Sequence, residues 1–401
     1  MDTSDTPKLG LVALATPRHG GTYQYTRAMI DALKLVHGYK ITIYTDSQFY
    51  ADAPFPTRPL VNSRITQALN LISAELGWRR SDPFIEEDIL LAPIYSTALL
   101  HTTRPFAFTL HDLQEHHYPN HFSVFQRFWR HAVNRQITKK AAIILCESKY
   151  VKEDIVRIFN VDKQKVEIIV SPPPRLLNSD RTSTSIVIRD VKTKYNLPSR
   201  FLFYPAQFWP HKNHSRLIEA FGRARKMQPD LALVLTGRPQ GTFRKVMKQA
   251  RTAGLERDIR HLGFVQQDEL EALYELATML VMPSLFESVS IPIYEAFMAG
   301  TPVAAAAVLA IPEQVGDAGV LFDPHSPDSI ASAILLLAND PVRASGYARK
   351  GRERMSIATS KRYASNLQSL LERLRLDVSQ PSDNNSSLPL AIKVTPASTS
   401  R

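Results

Sequence analysis

The sequence predicts two doubly wound α/β domains, each built on a mainly parallel sheet. Three observations point there. The chain has 401 residues, too many for one ordinary core and suited to two domains of ~150–200 residues each. Short apolar runs alternate with amphipathic helical patterns along most of its length, as in successive βαβ units. A proline-rich interruption at 171–190, opening Ser171-Pro-Pro-Pro, divides that alternation once.

In the first half, 9–15, 40–44, 89–91, 106–110, 141–146 and 166–170 read as short buried strands, with helical patterns such as 23–36 and 149–159 between them. Segment 171–190 reads as a linker. Beyond it, 201–205, 231–236, 259–264, 279–282, 302–306 and 319–321 are strand candidates. Helices fall at 215–226, 241–253, 267–277, 292–299 and 328–339. The expected boundaries are 1–180 for the first domain and 181–377 for the second. The tail 378–401 is rich in Ser, Pro and Asn and is expected to be disordered. Ligands of open α/β sheets sit at the carboxyl ends of the strands. Two such domains face to face form a deep cleft, so the loops after the strands carry the chemistry.

Apolar residues make up 44% and charged residues 22%, an ordinary globular mix. The net charge of +11 favours anionic partners, whether nucleotide phosphates, nucleic acid or an anionic membrane. Basic and aromatic residues form no recognised nucleic-acid module, so no nucleic-acid partner is expected. The single cysteine, Cys146, sits in an apolar run and reads as a small buried hydrophobe. A disulfide framework is excluded and a reducing compartment expected. The opening Met1-Asp-Thr-Ser-Asp lacks the pattern of a signal peptide, and no apolar run approaches the ~18 residues of a membrane span. A soluble or peripheral protein is expected.

The strongest motif is Met279-Leu-Val-Met-Pro-Ser-Leu-Phe-Glu287-Ser-Val-Ser-Ile-Pro-Ile-Tyr-Glu295-Ala-Phe-Met-Ala-Gly300. A strand ends at Pro283, and a helix follows with Pro292 in its first turn and Gly300 at its end. Free N–H groups near Ser290–Ile293 and the helix dipole form an anion site. Carboxylates at Glu287 and Glu295 flank it. They would repel phosphate and accept hydroxyls instead, and a nucleotide-sugar offers both groups. The blander alternative is that Glu295 complements the dipole and Glu287 is a solvated loop residue.

This stretch resembles the Glu-x7-Glu motif of retaining, GT-B-fold glycosyltransferases, family 4 (glycosyl transferases group 1), a resemblance running over about residues 9–340. It implies a GT-B fold of two facing Rossmann-like domains. It also implies that Glu287 contacts hydroxyls of the donor sugar, that Glu295 holds the ribose, and that the backbone of Ser288, Val289, Ser290 and Ile291 lines the donor. The family often has glycines in this loop, where this chain has Ser288 and Ser290.

A second motif, Gln207-Phe-Trp-Pro-His-Lys212-Asn213-His214, follows the first strand of the second half. A lysine there can pair with phosphate as a point charge. It resembles the family's phosphate loop, with Lys212 matching its lysine and Gln207 replacing its arginine. Arg238, after strand 231–236, is the candidate substitute. The third motif, Arg18-His-Gly20-Gly21, turns from a strand into a helix and lets a ligand approach the backbone. It resembles the family's N-terminal glycine loop. Neither Gly-x-Gly-x-x-Gly nor a P-loop occurs. The fourth, Phe108-Thr-Leu-His111-Asp112, ends a strand where the family places a histidine beside the donor sugar. A metal cluster of His111, Asp112, His116 and His117 is the minor alternative.

No Asp-x-Asp follows a strand, so no divalent metal and no cofactor are expected. Lys212, His111 and Glu287 are the residues expected to carry catalysis, by positioning and charge neutralisation without a general base. The resemblance implies a nucleotide-sugar donor, UDP- or GDP-linked or similar, and a saccharide or lipid-linked acceptor. The wording Pro-His-Lys-Asn-His resembles that of family members that build bacterial surface polysaccharides from mannose-like or deoxy sugars, which the resemblance implies here as well. A non-catalytic nucleotide-sugar binder of the same fold is the alternative. The basic amphipathic segment 122–140 either packs on its own domain or lies on an anionic membrane. The expected location is the cytoplasm, with the inner face of the membrane as an option.

Overall fold

The computed structural model describes residues 6–171 and 185–379. Among them, the first half forms a seven-stranded parallel sheet from β1 (Lys8–Val12), β2 (Lys40–Thr45), β3 (Thr57–Pro59), β4 (Ile89–Ala92), β5 (Phe106–Thr109), β6 (Ile143–Cys146) and β7 (Val166–Ile168), in the order β3-β2-β1-β4-β5-β6-β7. The second half forms a six-stranded parallel sheet from β8 (Phe201–Pro205), β9 (Ala232–Thr236), β10 (Ile259–His261), β11 (Met279–Met282), β12 (Val303–Ala306) and β13 (Val320–Phe322), in the order β10-β9-β8-β11-β12-β13. β4, β5, β6, β11 and β12 are buried throughout, as strands covered on both faces must be.

Alternation along the first sheet's strands divides its core in two. Leu9, Leu11, Ile89 and Leu91 meet α1 (Gly21–Leu33) on one face, while Leu90, Ala92, Phe106 and Phe108 meet α2 (Arg64–Glu75), α4 (Val124–Lys140) and α5 (Lys149–Phe159) on the other. A one-turn helix, α3 (Gln114–His117), lies between β5 and α4. The second core packs α6 (Ser185–Lys194), α7 (His214–Met227), α8 (Phe243–Thr252), α9 (Gln267–Leu276), α10 (Ile291–Ala299), α11 (Ile311–Val315), α12 (Pro327–Asn339) and α13 (Pro341–Ser356) around its sheet.

Three differences from the sequence reading have physical causes. The last helix, α14 (Ser360–Ser379), was expected to belong with the second domain, yet it crosses back. Its Tyr363, Leu367, Leu370, Leu371 and Leu374 are buried with α1 against the first sheet. An amphipathic pattern shows that a helix needs a partner but not which sheet provides it. Residues 185–190, read as linker, begin α6, while 172–184 lie outside the described residues. The strand β3 was missed because all three of its residues are exposed at the sheet edge. Of the tail 378–401, residues 378–379 end α14 and the rest lie outside the described residues. No helix among the described residues is long and apolar enough to cross a membrane.

Candidate active site

The loop after β8 is held rigidly from below. The buried Tyr204 hydroxyl donates to the Lys212 carbonyl at 2.8 Å. Asn213, in the left-handed conformation (φ 58°), starts α7, and its buried Nδ2 donates to the carbonyls of Pro283 (2.9 Å) and Pro324 (2.8 Å). The Leu285 N–H donates to the His211 carbonyl at 2.7 Å. These bonds tie the lysine loop to the loop after β11. They bring Lys212 Nζ to 2.5 Å from Glu287 Oε1, with both side chains largely shielded. Beside them, burial and then the Lys212 charge push the His211 pKa down to about 4 and the His214 pKa down to about 3. Both rings are therefore neutral at pH 7, and Lys212 is the cation of this loop.

The loop from Glu287 into α10 matches its sequence reading in outline. Pro292 lies in the first turn and Gly300 (φ 74°) closes the helix in the left-handed conformation. Its donors are less free than expected. The Ser290 N–H donates to Gln314 Oε1 (2.9 Å), whose Nε2 returns a bond to the Ser290 carbonyl (2.7 Å). Ser290 is buried, so neither its side chain nor its N–H faces the cleft, a correction to its place among the donor-binding residues. Ser288, Val289 and Ile291 do line the cleft. Glu295 is buried, and Tyr274 donates its hydroxyl to Glu295 Oε2 at 2.7 Å.

Gln207 also has a defined role. Its Oε1 accepts from the Arg238 backbone N–H (3.1 Å) and from Gln240 Nε2 (3.3 Å). Gly237 permits this approach: at φ +113° any Cβ would stand 2.6 Å from the Ala206 carbonyl oxygen. The Arg238 side chain, the candidate substitute for the arginine that Gln207 replaces, is exposed and lies 6.0 Å over the Phe264 ring at the cavity rim.

From the first sheet, Gly20 (φ 56°) starts α1 and Gly21 faces α10, its Cβ position 3.5 Å from Ile291 Cδ1. His111, past the end of β5, is fully engaged: Nε2 lies 2.8 Å from the Pro93 carbonyl and Nδ1 3.2 Å from Glu147 Oε2. Burial alone would lower the pKa of this ring, but the bonds to Glu147 and Pro93 outweigh it, and the pKa is raised. Glu147 is a site residue the sequence reading did not single out. The strand register could have found it, because Thr109 of β5 pairs with Leu145 of β6 and both chains continue two residues further. The four residues of the weighed metal cluster take separate partners. His117 pairs with Asp154, His116 packs on His131 and Phe159, and Asp112 accepts from Arg130.

These groups meet in one cleft. A cavity of about 450 Å³ is lined by Gly20 and Gly21 on one side and by Gln207, Lys212, Glu287 and Glu295 on the other. A smaller one of about 170 Å³ adjoins it through Gly21, Val289 and Ile291 and holds His111, Asp112 and Glu147. The Lys212–Glu287 pair, the Glu295 carboxylate and a glycine-lined wall thus share one space.

Comparison with known proteins agrees with this geometry. By fold, the chain is similar to Anabaena Alr3699/HepE, solved in complex with UDP and glucose, at TM-score 0.72, 19% identity and coverage of 92% of this chain and 100% of that one. It is 31% identical over 213 residues to the O-antigen chain mannosyltransferase B of Escherichia coli, covering 50% of this chain and 52% of that one. It is 24% identical over 296 residues to a D-inositol 3-phosphate glycosyltransferase of Corynebacterium glutamicum, covering 71% and 66%. The chain spans about half the length of the mannosyltransferase it matches. Residues 188–362 match the family "Glycosyl transferases group 1" and residues 19–171 match "Glycosyltransferase Family 4". With two parallel sheets facing one cleft and both halves matched, this chain belongs to the GT-B-fold group 1 glycosyltransferases of family 4.

Proposed function

We propose that the protein moves a sugar from a nucleoside-diphosphate donor to a hydroxyl of a saccharide or lipid-linked acceptor, with retention at the anomeric carbon and without a divalent metal. The carrying observation is the shared cavity, in which Gly20 and Gly21 face Lys212, Glu287 and Glu295. In this reading Glu295 accepts the ribose hydroxyls, Glu287 a sugar hydroxyl, and Lys212 leaves Glu287 to pair with the diphosphate. The bond from the anomeric carbon to the leaving phosphate oxygen breaks, the acceptor oxygen bonds to that carbon on the same face, and the acceptor's proton passes to the departing diphosphate. Lys212 stabilises the charge that develops there.

The relatives named as O-antigen mannosyltransferases favour a mannose-like donor and bacterial surface polysaccharide as the product. The acceptor enters from the His111 side. Work on a lipid-linked acceptor would place the protein at the cytoplasmic face of an anionic membrane. One observation favours the non-catalytic alternative, the neutral Gln207 in the phosphate loop. A panel of nucleotide-sugars screened by thermal stabilisation and then by transfer tests both readings. A donor bound only by the native state raises its stability. Stabilisation with turnover supports the transferase, stabilisation without turnover the binder, and no stabilisation by any donor overturns both.

A further inference from the structure

One surface of the first domain is apolar without a partner. In α2, Leu71 is buried against the sheet, while Ile65 (74% exposed), Leu69 (45%), Ile72 (53%) and, at the helix's C-cap, Leu76 (56%) stand on the opposite side. Their spacing of i, i+4, i+7 and i+11 makes one stripe along the helix. A helix that serves only its own core shows charged and polar residues there. The stripe ends in Trp78-Arg79-Arg80, all exposed.

The neighbouring helix extends this surface. α2 leads from β3 to β4 and α4 from β5 to β6, and all four strands are parallel, so the two helices run the same way across one face. The pair Arg135–Glu75 (2.7 Å) fixes their relative height. Ile65 and Phe125 each lie ten residues before that pair, roughly 15 Å up their helices, at the same level. Val124, Phe125 and Phe128 are exposed there as well. The internal face of α4, Ala132, Val133 and Ile137, packs on the domain, as one of the two readings of segment 122–140 expected, while its first turn leaves apolar side chains exposed. Charge matches the pattern. Segment 122–140 carries five basic and no acidic residues, and 61–80 three basic and one acidic.

We propose that the α2 stripe, flanked by the first turn of α4, docks on an anionic lipid bilayer, with the apolar side chains entering the interface and Arg64, Arg79, Arg80 and Arg127 meeting the headgroups. This rests on the proposed lipid-linked acceptor only for its purpose. The surface and its test stand apart from transfer. Apolar burial plus basic attraction is the combination that holds interfacial helices, and the Trp78 ring beside two arginines suits the boundary between tails and water.

The test is co-sedimentation of the full chain with vesicles of pure phosphatidylcholine and of phosphatidylcholine mixed with phosphatidylglycerol. Binding is expected to the mixed vesicles and to fall with salt. Arg79→Gln and Arg80→Gln should each weaken it about fivefold. Ile65→Ser with Ile72→Ser, both exposed and free of core contacts, should abolish it while leaving the melting temperature and nucleotide-sugar stabilisation unchanged. Trp78 emission should shift to the blue on binding, a change lost in Trp78→Phe. No binding to mixed vesicles, or binding that the serine pair leaves intact, overturns the proposal. So does a solution dimer broken by the same pair, which would assign the stripe to a second copy. Loss of donor stabilisation with vesicle binding intact would count against the transferase reading alone.

Discussion

Lys212 Nζ and Glu287 Oε1 are 2.5 Å apart, so the cation proposed for the diphosphate and the carboxylate proposed for the sugar hold each other in the wall of the cavity that both line. A donor must separate them, and each then trades one partner for another. Removing Lys212 alone strands a buried carboxylate opposite the diphosphate. Lys212→Ala should therefore slow single turnover at saturating donor by about 10²–10³, the usual size of one lost charge-stabilising donor. In a Glu287→Gln background the same change should weaken donor binding less. The coupling in a double-mutant cycle should fall within about 0.5–3 kcal/mol. Equal single-turnover rates for wild type and Lys212→Ala would reduce Lys212 to a surface lysine.

Glu295 should act on affinity more than on rate. Its assigned partner is the ribose, remote from the breaking bond, and Tyr274 anchors its other end from the core. Glu295→Ala should raise the donor Kd with little change in single-turnover rate, and Tyr274→Phe should raise it less, by about 2- to 12-fold for one hydrogen bond. A large fall in rate at unchanged affinity would move Glu295 into the chemistry.

Turnover should survive EDTA. The reason is the set of groups proposed for the diphosphate, a lysine in a loop fixed by Tyr204 and Asn213 and the start of α10. Loss of transfer on chelation, restored by magnesium or manganese, contradicts this.

The parts of the site legible in the sequence are those set by local backbone chemistry. Pro292 and Gly300 bracket α10 because one suits a first turn and the other a left-handed end. Lys212 followed by Asn213 marks the turn into α7 because asparagine tolerates the left-handed conformation and can bond two carbonyls. What stayed hidden depends on distant partners. Gln314 takes up the Ser290 N–H from 24 positions away. The apolar face of α14 found the first sheet rather than the second. Glu147 reads as a residue before a helix cap and becomes a site residue only through the register of β5 and β6.

Gln207→Arg tests whether the phosphate loop tolerates another cation. The change surrenders the Gln207 bonds to the Arg238 N–H and to Gln240, at about 0.5–1.5 kcal/mol for a typical hydrogen bond. A guanidinium meeting the diphosphate gains more where charge develops. In a Lys212→Ala background it should recover part of the lost rate. If it lowers donor stabilisation in wild type and rescues nothing in Lys212→Ala, the amide serves the loop and not the donor.

The His111–Glu147 pair should set the pH response of the site. The folded pKa of His111 is raised, because the bonds to Glu147 and Pro93 outweigh burial. A raised folded value means that the charged ring stabilises the fold fully below the unfolded pKa of ~6.5 and that this contribution is lost as pH rises through the folded value. Glu147→Gln keeps the shape of the side chain and removes its charge. Burial then dominates, so the His111 pKa should fall, which ring-proton NMR titration reads directly. Stability lost to the substitution should be larger at pH 6 than at pH 9. If transfer uses the charged ring, the alkaline limb of the rate profile should move to lower pH, with donor Kd changing less than kcat. An unmoved His111 titration in Glu147→Gln would show that the carboxylate only fills space beside the ring.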